Sequence, residues 1–251
     1  LDKRSCVPKA KEHRWNVSND IRNIPHRYEI SKPVLNASAK EYVKETWTKS
    51  DINDNIYWCD VSDVTQYDDA RDNSVLNVIF NDGDKIGVRK YFAKDLHTLY
   101  KDGQFATDVE EGKLYLYTGG MHPADKYNSI NLTRCMYGTH INYGAEYILI
   151  DNIKFKGFGS GAVKGALACP NNTIQNCDIG YSGGMMYTQF QTKKYGLRYG
   201  NAIEAWETSK NFVVNNCWIY HTFDSAVSPQ GDGASTGNYD GFKLVGNLFE
   251  Y

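Results

Sequence analysis

Residues 196–231 read "GLRYGNAIEAWETSKNFVVNNCWIYHTFDSAVSPQG". Two pieces of one shape, "NAIEAW" (201–206) and "SAVSPQ" (225–230), flank "FVVNNCWI" (212–219). Working outward, "GAVKGA" (161–166) joins the first family, and "ILIDNIKF" (148–155), "NTIQNCDI" (172–179) and "FKLVGNLF" (242–249) join the second. The first family centres on Val163, Ile203 and Val227. The second sets an aliphatic residue two places before an asparagine: Ile150 and Asn152, Ile174 and Asn176, Val214 and Asn216, Val245 and Asn247. Steps of 11 and 13 residues recur between these anchors and give a period of 24, broken by about 16 extra residues before Ile203 and about 7 after Val227.

Short β-branched pieces with a period of two, joined by asparagine turns and repeated every 24 residues, predict a parallel β-helix. A single coil cannot bury its own apolar face, whereas coils stacked at about 4.8 Å can. The asparagines then have a structural task, aligned at one corner with their amides bonding from coil to coil. Cys177 and Cys217 fall at one repeat position, which we equate with Ile153 and Leu248. Stacking brings them within disulfide range, but the aliphatic equivalents favour two free buried thiols.

The segments "AEYILIDNIKFKGFGSGAV", "YGNAIEAW" and "IYHTFDSAVSPQG" resemble the right-handed parallel β-helix proteins of the pectate-lyase-like superfamily, and most of all its secreted glycoside hydrolases. In those proteins a "GNGIE-W" coil precedes an "H-x-x-x-D-x-G-I-x-x-QG" coil; here Ala202 and Ala226 stand where glycine is usual. The resemblance is good over about 105–251 and weaker over 55–105. It implies an all-β chain: a right-handed parallel β-helix over 126–251, a small β module over 55–125, and an N-terminal lead-in with a short helix over 1–54. It also implies a secreted or cell-surface protein that acts on polysaccharide.

In the first half, "NASAKEYVKETW" (36–47) reads as an amphipathic helix with Ser38 as N-cap. "VLNVIFNDGDKIGV" (75–88) reads as a hairpin turning at Asn81–Asp84. No ligand series follows its "NDGD", which argues against a calcium loop. "AKDLHTLYKDG" reads as a short helix ending near Gly103, and "GKLYLYTGG" as a strand. The expected task of residues 1–120 is to cover the N-terminal end of the β-helix.

Composition narrows the function. Net charge is −2 and no basic run exists, so neither nucleic acid nor an anionic membrane is a favoured partner. No apolar stretch approaches a membrane span. Nineteen tyrosines and five tryptophans suit both a β-rich core and sugar stacking. Sequons begin at Asn16, Asn36, Asn131 and Asn171, and matter only in a secreted eukaryotic setting. No metal or cofactor motif is present.

Side chains alternate along a strand. With Val163, Ile203 and Val227 inward, Lys164, Glu204 and Ser228 form one outward column, and Ala166, Trp206 and Gln230 the next. Both insertions, "YSGGMMYTQFQTKKYGLRYG" and "GDGASTGNYDG", flank this face. Glycoside hydrolysis needs two carboxyl groups. Glu204 and Asp224 are the acidic candidates, with His221 as a third catalytic candidate and Lys164, Arg198, Asn201, Trp206, Ser228 and Gln230 as substrate-binding candidates. Asp224 lies four repeat positions from Glu204, about 13 Å along an extended strand, so a hydrolase site there needs the approach to bend. A polysaccharide lyase or uronate epimerase would instead use Lys164, Arg198 and His221 around a uronate. A non-catalytic glycan-binding or cell-surface β-helix is the third reading.

Overall fold

The computed structural model describes residues 32–38, 41–62, 75–90, 96–133, 137–165, 168–186, 198–231 and 238–250. Asn16, Ala166 and the side chain of Arg198 lie outside the described residues. In chain order the strands begin with β1 (Val34–Asn36), β2 (Thr48–Lys49), β3 (Ile56–Asp60), β4 (Asn77–Phe80), β5 (Lys85–Ile86), β6 (Val88–Arg89), β7 (Gln104–Asp108), β8 (Lys113–Tyr117) and β9 (Ile130–Thr133). The repeat region follows with β10 (Tyr137–Ile141), β11 (Leu149–Asp151), β12 (Lys154–Lys156), β13 (Gly161–Gly165), β14 (Thr173–Gln175), β15 (Asp178–Gly180), β16 (Met185–Met186), β17 (Arg198–Tyr199), β18 (Ile203–Trp206), β19 (Val213–Asn215), β20 (Trp218–Tyr220), β21 (Val227–Gln230), β22 (Lys243–Val245) and β23 (Leu248–Glu250).

From β10 onward the chain winds a right-handed parallel β-helix of three sheets: β10-β13-β18-β21, β11-β14-β19-β22 and β1-β12-β15-β20-β23. Val163 pairs with Ile203 and Ile203 with Val227; Ile150, Ile174 and Val214 stack in turn. Alternation sends these residues inward, where they pack with Phe155, Ile179, Ile219 and Phe212 in one core. Ile174, Val214, Val163 and Ile203 are fully buried, but Val227 is only half-buried. It lies in the last described coil, so one of its flanks has no neighbour.

The corners explain the asparagines. Asn152, Asn176 and Asn216 have φ of +60°, +54° and +53°, a left-handed conformation that asparagine tolerates better than most residues. The fourth corner departs from the expected register. Val214 pairs with Leu244 and Asn215 with Val245, so Gly246, at φ +63°, takes the corner and Asn247 falls opposite Cys217. Glycine meets the left-handed requirement without a side chain. Asn247 turns its amide onto the backbone, accepting from the Cys217 N–H and donating to the Val214 carbonyl, 2.9 Å each. The repeat equivalent of Cys177 and Cys217 is therefore Asn247, not Leu248, and Val245 is exposed rather than core. Cys177 and Cys217 are free and buried. Asn216 donates to Asn176 and Asn176 to the Asp151 carboxylate, so this ladder ends on an acid.

The first insertion opens with an antiparallel arm, β16 on β17. The module comprises a five-stranded sheet β2-β3-β8-β7-β6 and a three-stranded sheet β5-β4-β9 around a shared core that includes Phe80, Phe105, Leu114, Leu116 and Leu132. The hairpin β4–β5 turns at Asn81–Gly83, all three residues at positive φ. The module packs against residues at and just after the ends of β15 and β20, while Ala37, just past β1, joins the β-helix core. Ile79 packs on Tyr181 and Tyr220, the Asn77 amide donates to the Gly183 carbonyl, and the Arg89 guanidinium to that of Gly184.

The expected helix over 36–47 is absent from its described residues. Instead β1 ends at Asn36, whose side chain accepts from the Ser38 N–H, and Tyr42–Glu45 form a turn. Tyr42 is fully buried and its carbonyl accepts the Trp47 indole N–H, so tertiary burial overrides helical spacing. β1 adds to the first coil, parallel to β12. Of the second expected helix, the described part is a single 3-10 turn at Leu96–Thr98.

Candidate functional site

β10, β13, β18 and β21 place His140, Lys164, Glu204 and Ser228 on successive rungs of one outward column. Trp206 and Gln230 pair in the next column. Glu204 faces outward from the strand yet is only 2% exposed. One carboxylate oxygen lies 2.5 Å from the Lys164 ammonium, and the other accepts a 3.2 Å hydrogen bond from the Asn201 amide. The same ammonium lies 5.2 Å from the Trp206 ring centre and 5.4 Å from that of Tyr137. The carboxylate and the two ring faces together hold the ammonium in place.

Asn201 sits one residue after Gly200, where the chain leaves the arm and enters β18. It is buried, its nitrogen is committed to Glu204, and its side-chain oxygen has no donor among the described residues. Reversing the amide would turn that oxygen onto the carboxylate, so the charge of Glu204 fixes the orientation. Ser228 donates to the Gln230 side-chain oxygen at 3.1 Å, and the Tyr239 hydroxyl, from within the second insertion, donates to the Gln230 carbonyl.

Lys164, Glu204, Asn201 and Trp206 thus meet in one cluster, with Ser228 and Gln230 on the adjoining rung. Asp224 and His221 stand apart from it. Asp224 is exposed, and its N–H donates to the Gly200 carbonyl, so the parallel pairing of β21 with β18 runs back to Asp224. His221 occupies a left-handed corner, φ +47°, with its ring stacked on Tyr181 at 5.3 Å. The Tyr181 hydroxyl in turn donates to the Gly83 carbonyl of the module.

His140 and Tyr137 belong to the cluster and escaped the sequence reading. His140 stands 24 residues before Lys164, so the period itself points to it. The polar Thr139 stands where Val163, Ile203 and Val227 supply the aliphatic centre of the later coils, so the strand does not match their pattern. The His140 ring leans on Tyr137 at 5.5 Å. Lost hydration pushes its pKa below the ordinary 6.5, Lys164 adds to the shift, and Glu204 opposes it. The ring keeps an exposed edge.

Comparison with protein-family models, with curated proteins and with solved structures finds no match to this chain. The architecture is the solenoid on which carbohydrate-active β-helix enzymes are built. Among the described residues no helix is long and apolar enough to cross a membrane, and no group of three or more His, Cys, Asp or Glu side chains is placed to hold a metal ion.

Proposed function

We propose that this chain is a secreted or cell-surface carbohydrate-active protein that binds an oligosaccharide on the outer face around Glu204 and hydrolyses its glycosidic bond. The observation that carries the reading is the shielded carboxylate of Glu204, held at both oxygens by Lys164 and Asn201, beside Trp206 and an unpaired buried acceptor on Asn201. An ion pair withdrawn from water contributes little net stability compared with apolar residues of the same volume. Its place on an outer strand face, among groups that stack on sugar rings or bond hydroxyls, favours a functional task.

Glu204 is the candidate carboxylate of the cluster, in a base or nucleophile role beside Lys164. Asp224, whose N–H is paired to the Gly200 carbonyl, stands apart from it. The unpaired oxygen of Asn201 accepts from a sugar hydroxyl, Trp206 supports a ring, and Ser228 and Gln230 offer further polar contacts. A lyase or epimerase would use Lys164 against a uronate carboxylate and need a base beside it, and His221 stands apart from the cluster.

The test is turnover on a polysaccharide panel, read as new reducing ends for hydrolysis and as near-ultraviolet absorbance for a lyase. Glu204→Gln should lower hydrolysis by orders of magnitude while the fold is kept. Absorbing, unsaturated products would instead establish a lyase. Binding without turnover in the unaltered protein would establish a glycan-binding β-helix.

A further inference from the structure

The outer face of the module's five-stranded sheet carries a second arrangement that the site above does not use. Alternation and register place Thr48, Trp58, Tyr115 and Ala106 in one row across β2, β3, β8 and β7. Asp60, Lys113 and Asp108 form the next row on the same face. Cys59, Leu114, Leu116 and Phe105 point the other way, into the module core. Tyr115 leans on a small cluster of Ile56, Leu96, Leu99 and Ala106. Among the described residues, Trp58 is half-buried, belongs to neither cluster, and stands directly across from the half-buried Tyr115.

We propose that this face is a second glycan-binding platform, built on Trp58 and Tyr115, that takes a neutral polysaccharide chain. A sugar ring presents an apolar face to an aromatic and hydroxyls at its edge, and here an aromatic row adjoins a row of carboxylates and an ammonium. The choice of a neutral glycan follows from charge. Among the described residues of this row and its turn, Asp108 and Glu111 outnumber Lys113, whose ammonium is already paired to Glu111 at 2.8 Å, so a polyanionic chain meets net repulsion. Lys113 lies 4.5 Å from the Trp58 ring centre in the free protein. Its ion pair is at the surface, where such pairs hold weakly, so the lysine is free to swing aside and donate to a hydroxyl. Placed on the module and not on the coils, the platform would tether the protein to a chain while the Glu204 face engages it elsewhere. The choice of a glycan as ligand rests on the carbohydrate reading above; the location does not.

The experiment is gel retardation and tryptophan-fluorescence titration of the whole chain with neutral polysaccharides (xylan, mannan, β-glucan and starch) and with polygalacturonate as the anionic control. The unaltered protein should bind at least one neutral polymer and bind polygalacturonate more weakly. Trp58→Ala and Trp58→Leu should each weaken that binding about tenfold or more, with Tyr115→Ala acting in the same direction. Trp58→Leu keeps apolar cover but no flat ring, so it separates stacking from folding. Glu204→Gln should leave this binding unchanged even where it abolishes turnover. Neutral-glycan binding of undiminished affinity in folded Trp58→Leu overturns the platform. So does the absence of any neutral-glycan binding in the unaltered protein, including the case where a protein partner is found on this face instead. Loss of binding in Glu204→Gln alone would place the glycan on the coils and overturn the platform while sparing the reading of Glu204.

Discussion

Lys164 and Glu204 face each other on adjacent coils, in register, as an ion pair in which the lysine side chain is 17% exposed and the glutamate 3%. Forty residues of sequence separate them, and the parallel pairing of β13 with β18 makes them neighbours.

Removing one member of this pair should cost more than removing both. Lys164→Met leaves a shielded carboxylate without its cation, and about 3–5 kcal/mol of stability should be lost. The double substitution Lys164→Met with Glu204→Leu should recover much of that. Urea unfolding of the three variants measures it, and additive losses would show that the two side chains are not coupled.

His140 reads the same pair from the rung next to Lys164. Its titration midpoint, followed by NMR, should lie below 6.5. Lys164→Met should raise it, and Glu204→Gln should lower it further. The unfolded chain binds a proton at this histidine more readily than the folded one. The stability it supports at neutral pH is therefore lost as pH falls from 6.5 through the depressed folded value.

The corners should tolerate glycine better than alanine. Asn176→Gly keeps the left-handed backbone and loses only the amide bonds to Asp151 and from Asn216. Asn176→Ala loses those bonds and adds roughly 1–2 kcal/mol of backbone strain. Gly246→Ala should show the strain alone, since an added Cβ there meets nothing within 4 Å. Denaturant midpoints rank the three, and equal losses for Asn176→Gly and Asn176→Ala would contradict the corner account.

Depth in the stack should set the cost of truncation. Ile203→Ala, in a fully buried position, should lose about 2–5 kcal/mol. Val227→Ala, one coil higher and half-buried, should lose clearly less. Comparable losses would mean that the last coil is as well covered as the one below it.

Trp206→Ala should weaken oligosaccharide binding at the Glu204 face and also loosen Lys164, whose ammonium rests against the ring. Trp206→Phe should restore part of both. A fall in turnover number with an unchanged KM would argue against its sugar-holding task.

The periodicity of "NAIEAW", "SAVSPQ" and their relatives was enough to read the parallel stack, the inward set Val163, Ile203 and Val227, and the outward columns of Lys164, Glu204 and Ser228 and of Trp206 and Gln230. Burial on one side of a strand imposes alternation on the sequence, and stacking imposes the repeat, so both leave a local trace. The fourth corner was misread because the shared requirement there is a left-handed backbone, which Gly246 meets as well as asparagine does. Nothing local marks 36–38 as the end of a strand on the first coil, since β1 exists only because β12 offers it an edge. The burial of Glu204, the embrace of Lys164 by Tyr137 and Trp206, and the unpaired oxygen of Asn201 arise between residues three to forty-two positions apart in the chain. A sequence records which side chains each coil displays; only the folded stack decides which of them touch, because that depends on the register and depth at which distant coils are laid on one another.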